Sequence, residues 1–174
     1  MTARQWQRFI ADQTFLISTS RDLLSHQFVQ ESFGDEAMYW ANPMSPEALK
    51  LMLDNSCTLG LYKVERREAM EEQDQQQQQQ QRQYIPIGLA RLVTDYVTFA
   101  YLTDVFVREE FRKFGLGKWL IVCCREVLEG MPELRRAMLM TSVGYAKNMY
   151  QRELGMKSYG QDPNGLTVMC AKKA

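Results

Sequence analysis

Histidine is almost absent. The 174-residue chain has only His26, which argues against a His-rich metal site and weakens any Ser-His-Asp relay. Its neighbours place it on a helix surface. The four cysteines (Cys57, Cys123, Cys124 and Cys170) lack metal-ligand spacing, and the adjacent Cys123–Cys124 pair is poorly disposed to close on itself. Apolar neighbours predict four buried free thiols and no metal. Net charge is also missing: Lys plus Arg and Asp plus Glu both total 21. That balance removes the usual electrostatic case for a nucleic-acid partner, while leaving room for a local basic cradle around a small anion. No apolar run is long enough for a membrane span. Residues 1–10 alternate polar and apolar and lack the apolar stretch of a secretory signal. The expectation is a cytoplasmic chain, with a nuclear location compatible.

The length suits one domain spanning 1–174 with its own core. A composition break interrupts it. Residues 65–83 are charged and then glutamine-rich, with an unbroken run from Gln75 to Gln81. Such a segment has no apolar area to offset the entropy of ordering, so it reads as a disordered loop inserted between two strands. Elsewhere hydrophobic period and turn residues predict strands at 15–18, 57–64, 85–94, 97–107, 137–140, 156–159 and 166–171. Helices are expected at 22–32, from Ser45-Pro46 to about Asn55, at 116–128 and at 145–154. Ser45 can cap its helix, Pro46 suits the first turn, and Gly130 and Gly155 serve as stops. Asp95-Tyr96 and the segment 162–165 read as turns. The fold class is mixed α/β, with one central, mostly antiparallel sheet and about four flanking helices.

The informative stretch runs from Leu102 to Gly130. A strand ends, a basic glycine-containing loop follows, and a helix begins. The free N–H groups of a helix's first turn and its dipole favour an anion there. Gly115 and Gly117 let backbone approach an oxygen-rich ligand, and Arg112, Lys113 and Lys118 add positive charge. A Walker loop needs glycine where Arg112 stands and Ser or Thr where Trp119 stands. A dinucleotide fingerprint needs a third glycine in place of Leu120. Both readings fail, leaving Arg-x-x-Gly-x-Gly at Arg112, Gly115 and Gly117.

This pattern, after a long β-branched strand, resembles the acetyl-CoA-binding motif of the GNAT superfamily of N-acetyltransferases. Ala146 followed four residues later by Tyr150, with the ending Leu154-Gly155-Met156, resembles a second hallmark of that superfamily. The resemblance covers about 15–172, with the glutamine tract as an insertion. It implies a sheet whose fourth and fifth strands, 97–107 and 137–140, splay apart around the pantetheine arm of acetyl-CoA. It implies backbone contacts from Val105, Phe106 and Val107, with the Phe106 N–H on the thioester carbonyl. Arg112, Lys113, Phe114, Gly115, Leu116, Gly117 and Lys118 would hold the pyrophosphate. Tyr150 would stand beside the cofactor sulfur as proton donor. Val143 departs from an asparagine common in that position, and Asn148, Thr141 or Ser142 is the expected substitute.

Asp104 is the candidate for the amine side, because a carboxylate inside an apolar strand is costly unless solvated, paired or working. Strand alternation puts it on one face with Leu102 and Phe106, and Tyr101, Thr103 and Val105 on the other. Histone acetyltransferases of the superfamily carry a glutamate where this chain has Tyr101, a departure that argues against a copied histone-type base. Tyr39 and Trp40, between the first two helices, are the expected acceptor-binding residues. The reading is an acetyl-CoA-dependent N-acetyltransferase for a primary amine on a small molecule, acting as a monomer or homodimer. A non-catalytic CoA-binding module and a peptide or protein N-acetyltransferase stay open as alternatives.

Overall fold

The computed structural model describes residues 2–66, 82–142, 144–161 and 165–171. Most of the glutamine-rich segment, Val143 and most of the turn at 162–165 fall outside them. The ends of the expected insertion are strand rather than loop: β3 is Cys57–Arg66 and β4 is Arg82–Thr94.

Among the described residues eight strands form one sheet in the order β1-β2-β3-β4-β5-β6-β8-β7. Its first member, β1 (Gln5–Ile10), was not legible as a strand. It pairs antiparallel with β2 (Gln13–Ser18) through a tight turn in which Ala11 and Asp12 both take positive φ, 47° and 61°. That backbone suits a two-residue hairpin, but Ala-Asp lacks the Asn-Gly signature that announces one. As an edge strand, β1 buries little, and its polar–apolar alternation alone did not announce it. Its ties run to a helix instead: Trp6 Nε1 donates to Glu126 Oε2 at 2.6 Å and Arg8 lies over the Trp119 ring.

β5 (Phe99–Val107) pairs antiparallel with β4 and parallel with β6 (Arg136–Thr141). Every other pairing is antiparallel. β8 (Thr167–Ala171) lies between β6 and β7 (Lys157–Gln161). The β5–β6 ladder holds only from Phe99↔Arg136 to Tyr101↔Met138. Beyond it the two strands separate, the splay that the sequence resemblance implies.

Helices cover both faces of the sheet. α1 (His26–Phe33) starts at Ser25, later than the expected 22. The Ser25 side chain caps it by accepting from Phe28 N–H, and a 3-10 turn at Arg21–Leu23 precedes it. α2 (Pro46–Asp54) has the expected Ser45 cap and Pro46 in its first turn. These two helices bury Phe28, Val29, Phe33, Leu49 and Leu53 against Leu89 and Phe106. α3 (Leu116–Glu129) packs on the opposite face with α4 (Gly144–Leu154) beside it. Leu116, Leu120, Cys123, Cys124 and Val127 enter the larger core with Leu59, Leu92 and Leu102. All four cysteines are buried free thiols and His26 is exposed at the start of α1, both as expected.

Candidate active site

β5 does not keep a simple two-residue period. Leu89 pairs with Phe106 but Arg91 pairs with Thr103, so β5 carries one extra residue in a bulge. Asp104 stands in it with φ +52°. This left-handed backbone is one that Asp and Asn tolerate better than most residues. The bulge reverses the phase of the strand. Ala100, Leu102, Val105 and Val107 pack toward α3, whereas Phe106 joins the α1–α2 side. The expected grouping of Leu102, Asp104 and Phe106 on one face is therefore wrong. Asp104 sits beside Thr103, whose hydroxyl donates to its Oδ1 at 3.0 Å.

The Asp104 carboxylate is 5% exposed and well partnered. Arg91 Nε donates to Oδ2 at 2.7 Å, and Trp40 Nε1 donates to Oδ1 at 3.3 Å. A buried carboxylate persists when its charge is paired and its lone pairs are satisfied, and both conditions hold here.

The splay between β5 and β6 opens a cavity of about 650 Å³. At one end lies the start of α3. Gly115 takes φ +68°, a conformation that favours glycine, and an added Cβ would meet nothing within 4 Å. At Gly117 the nearest atom to such a Cβ is Val107 Cγ2 at 3.9 Å, so a side chain there would occupy the cavity itself. The first intrahelical bond is donated by Trp119 N to Gly115 O. The Leu116, Gly117 and Lys118 N–H groups precede it, at the positive end of the helix dipole. Arg112 Nε donates to the Val107 carbonyl at 3.0 Å, which fixes its guanidinium beside the cavity. Lys118 reaches Glu153 Oε1 on α4 at 3.3 Å.

The middle of the cavity is walled by the last residues of β5. Arg108 N–H is bonded to Ile87 O on β4 at 2.9 Å. By strand alternation the Phe106 N–H also turns toward β4, while those of Val105 and Val107 turn toward β6 and the cavity. The Phe106 N–H, expected on the thioester, is thus directed at β4 rather than at the cavity. Opposite stand Leu139, Met149 and Tyr150. Tyr150 is buried, and burial raises the pKa of its phenol well above the ordinary range, with Cys124 and Tyr145 adding to the rise. It keeps its proton at neutral pH and is available as a donor.

The far end is aromatic. Tyr39 and Trp40 follow a 3-10 turn at Glu36–Met38 and contact each other edge to face, ring centroids 5.1 Å apart. Tyr39 Oη and Ser142 Oγ share a 2.5 Å hydrogen bond that ties the α1–α2 connection to the end of β6 across the cleft. Tyr101 also lines this end. Its phenol meets the Met140 N–H, and burial together with the Asp104 charge raises its pKa.

Of the residues singled out in the sequence, Tyr39, Trp40, Asp104, Val105, Phe106, Val107, Arg112, Gly115, Gly117, Lys118 and Tyr150 line this cavity. Four do not. Leu116 is fully buried in the core, Phe114 packs on Phe15 and Phe111, Lys113 turns over the Phe114 ring, and Asn148 is exposed on α4. Any part the first three play at the cradle is left to their backbone. Of the substitutes considered for Val143, Thr141 and Ser142 line the cavity. Sequence reasoning missed Tyr101 and Tyr145 as lining residues, and Glu153 as the partner of Lys118. The spacing of Tyr145 from Tyr150 carried no chemical signal, and an acid in the last turn of a helix ordinarily reads as solvated surface.

The family model described as Acetyltransferase (GNAT) family matches residues 49–156, a span that takes in β5, the Arg112–Gly117 loop and Tyr150. The curated Gibberella zeae protein named "Putative acetyltransferase FG08082" is 33% identical over 145 residues, covering 83% of this chain and 80% of that one. Among solved structures, a GNAT-family protein from Xanthomonas campestris pv. campestris has a TM-score of 0.59 at 24% identity, covering 82% of this chain and 84% of its own. A spermidine N-acetyltransferase from Vibrio cholerae, solved with CoA and spermine, has a TM-score of 0.58 at 13% identity, covering 98% and 95%. At these identities the two structures speak for the fold, and the family match and the Gibberella relative speak for the lineage: the chain belongs to the GNAT family of acetyltransferases.

Proposed function

We propose that this protein transfers an acetyl group from acetyl-CoA to the primary amine of a small acceptor, in the cavity between β5 and β6. The observation that carries the reading is the continuity of that cavity. It leads from the glycine-lined start of α3, past the Val105 and Val107 backbone, to the Tyr150 phenol and on to Tyr39 and Trp40.

Bound acetyl-CoA would supply a thioester whose carbonyl carbon accepts the amine nitrogen, a C–N bond forming as the C–S bond breaks. The first-turn N–H groups of α3, with Arg112 and Lys118, suit the pyrophosphate. The Val105 N–H suits the carbonyl oxygen as negative charge develops there. The nitrogen must attack as a neutral amine, and the proton it sheds passes to water. Tyr150, still protonated at neutral pH, gives its proton to the departing thiolate.

Asp104 is assigned a positioning part rather than that of a free base. Its carboxylate is engaged by Arg91, Trp40 and Thr103, and to take a proton it would have to weaken the 2.7 Å contact with Arg91. The small-molecule reading, over an extended peptide, is supported by the Tyr39–Ser142 bond that crosses the acceptor end.

The test is thiol release from acetyl-CoA with a panel of amines. Wild-type protein releases thiol and yields acetylated amine with some of them, and Tyr150→Phe lowers kcat by about 10²-fold or more with little change in KM. Wild-type turnover that Tyr150→Phe leaves intact removes Tyr150 from the chemistry. Cofactor binding without acetylated product from any amine or peptide replaces the catalytic reading with that of a CoA-binding module.

A further inference from the structure

The acceptor end of the cavity carries a chemical signature of its own. Its walls are aromatic and apolar: Tyr39, Trp40, Tyr101, Tyr145 and Met140. Three of these are large rings held open to solvent, Tyr39 at 65% exposure, Trp40 at 47% and Tyr145 at 80%. Exposed rings at a cavity mouth leave apolar area for an occupant to cover.

Charge at the same end is accounted for. Among the described residues lining the cavity the one carboxylate is Asp104, and Arg91 neutralises it at 2.7 Å. The cations Arg112 and Lys118 belong to the cradle at the opposite end. A polycation entering past Tyr39 would lose hydration without gaining a free anion, and a buried unpaired charge is costly. A flat uncharged ring would lose little and gain contact with the exposed ring faces.

The two leading aromatics are also fixed. Trp40 is pinned through its indole N–H to Asp104, Tyr39 through its hydroxyl to Ser142, and the rings buttress each other at 89°. Rings held by hydrogen bonds at their polar tips present apolar edges and faces at low entropic cost on binding. Asp104 in this arrangement orients Trp40 and cancels Arg91.

Resting on the acetyltransferase reading above, we infer that the acceptor is an arylalkylamine. Its flat aromatic ring is read by Tyr39 and Trp40, and a short saturated arm carries the primary amine toward Val105 and Tyr150.

Steady-state kinetics with acetyl-CoA and four probe amines test this inference: tryptamine, 2-phenylethylamine, hexylamine and spermidine. The aryl probes are expected to exceed hexylamine in kcat/KM by about tenfold, the worth of one aromatic contact, and to exceed spermidine further. In Trp40→Leu the aryl-to-hexylamine ratio falls toward one. Tyr39→Phe, which keeps the ring and removes the Ser142 bond, lowers the ratio less, and circular dichroism of both variants checks that they are folded. An aryl-to-hexylamine ratio near one in wild-type protein, a preference for spermidine, or a ratio unmoved in folded Trp40→Leu overturns the arylalkylamine assignment and leaves acetyl transfer standing. Thiol release with none of the four, from protein that binds acetyl-CoA, overturns the assignment. Whether acetyl transfer fails with it is decided by the wider amine and peptide panel.

Discussion

Asp104 joins three demands at one position: a positive φ, a bulge that reverses the strand, and a carboxylate against Arg91, Trp40 and Thr103. Asparagine keeps the backbone tolerance and the contacts to Trp40 and Thr103 but leaves Arg91 without its counter-charge. Losing one partner of a buried ion pair costs about 3–5 kcal/mol, and both side chains here are largely inaccessible, 14% and 6% exposed. Asp104→Asn is expected to lower unfolding stability by about that amount in urea, and Asp104→Asn with Arg91→Met to recover most of it. If Asp104 positions rather than takes a proton, the acidic limb of the kcat/KM–pH profile survives in Asp104→Asn. A carboxylate of unusual cost was legible in the sequence. Its partners were not, because Arg91 is thirteen residues away on another strand and Trp40 sixty-four residues away.

Among the elements, α3 does two things at once. Its first turn faces the cavity through Gly115 and Gly117, and its inward stripe, including Cys123 and Cys124, forms part of the main core. The glycine loop and the helix were readable because each rests on local rules of turn backbone and 3.6-residue period. The bulge in β5 and the Ala-Asp hairpin before β2 were not, since both are settled by pairing with distant strands. The buried thiols of α3 have a measurable consequence. Burial pushes Cys123 up to about 12 and Cys124 well above its ordinary value. An unfolded thiol ionises near about 8.5. The folded state therefore holds the proton more tightly: the stability is full below that pH and declines as pH rises toward the folded value. The urea midpoint is expected to fall between pH 8 and pH 10. Replacing Cys123 and Cys124 by Ala should flatten that fall, although the variant starts from a lower midpoint. An unchanged slope would show that the thiols do not drive it.

For the molecule as a whole, two faces of one sheet are committed to packing, and the proposed acetyl transfer is assigned to the gap where β5 and β6 part. The ladder between them lasts three residue pairs. Past that point Val105 and Val107 have no partner on β6, and a cavity of about 650 Å³ takes the neighbour's place. A bound chain of amide groups is a natural occupant for such a gap, because it can satisfy N–H and C=O groups the sheet leaves open. Neither edge of the gap is set by one segment of sequence. β6 is parted from β5 by all of α3, and the Tyr39–Ser142 bond closes residues 103 positions apart. That is why the motif at Arg112–Gly117 was evident from the residues while the shape of the acceptor end was not.

Calorimetric titration of acetyl-CoA into wild-type protein and into Gly117→Glu tests the cleft as the cofactor site most directly. Gly117 lies in the cavity wall, where an added Cβ would meet only Val107 Cγ2 at an ordinary contact distance of 3.9 Å, so the variant is expected to fold. A glutamate there places bulk and negative charge at the proposed pyrophosphate position. One-to-one binding in wild-type protein, weakened by about 10²-fold or more in a folded Gly117→Glu, is the predicted result. Equal affinity in the two proteins would contradict the assignment of the β5–β6 cleft as the coenzyme A site.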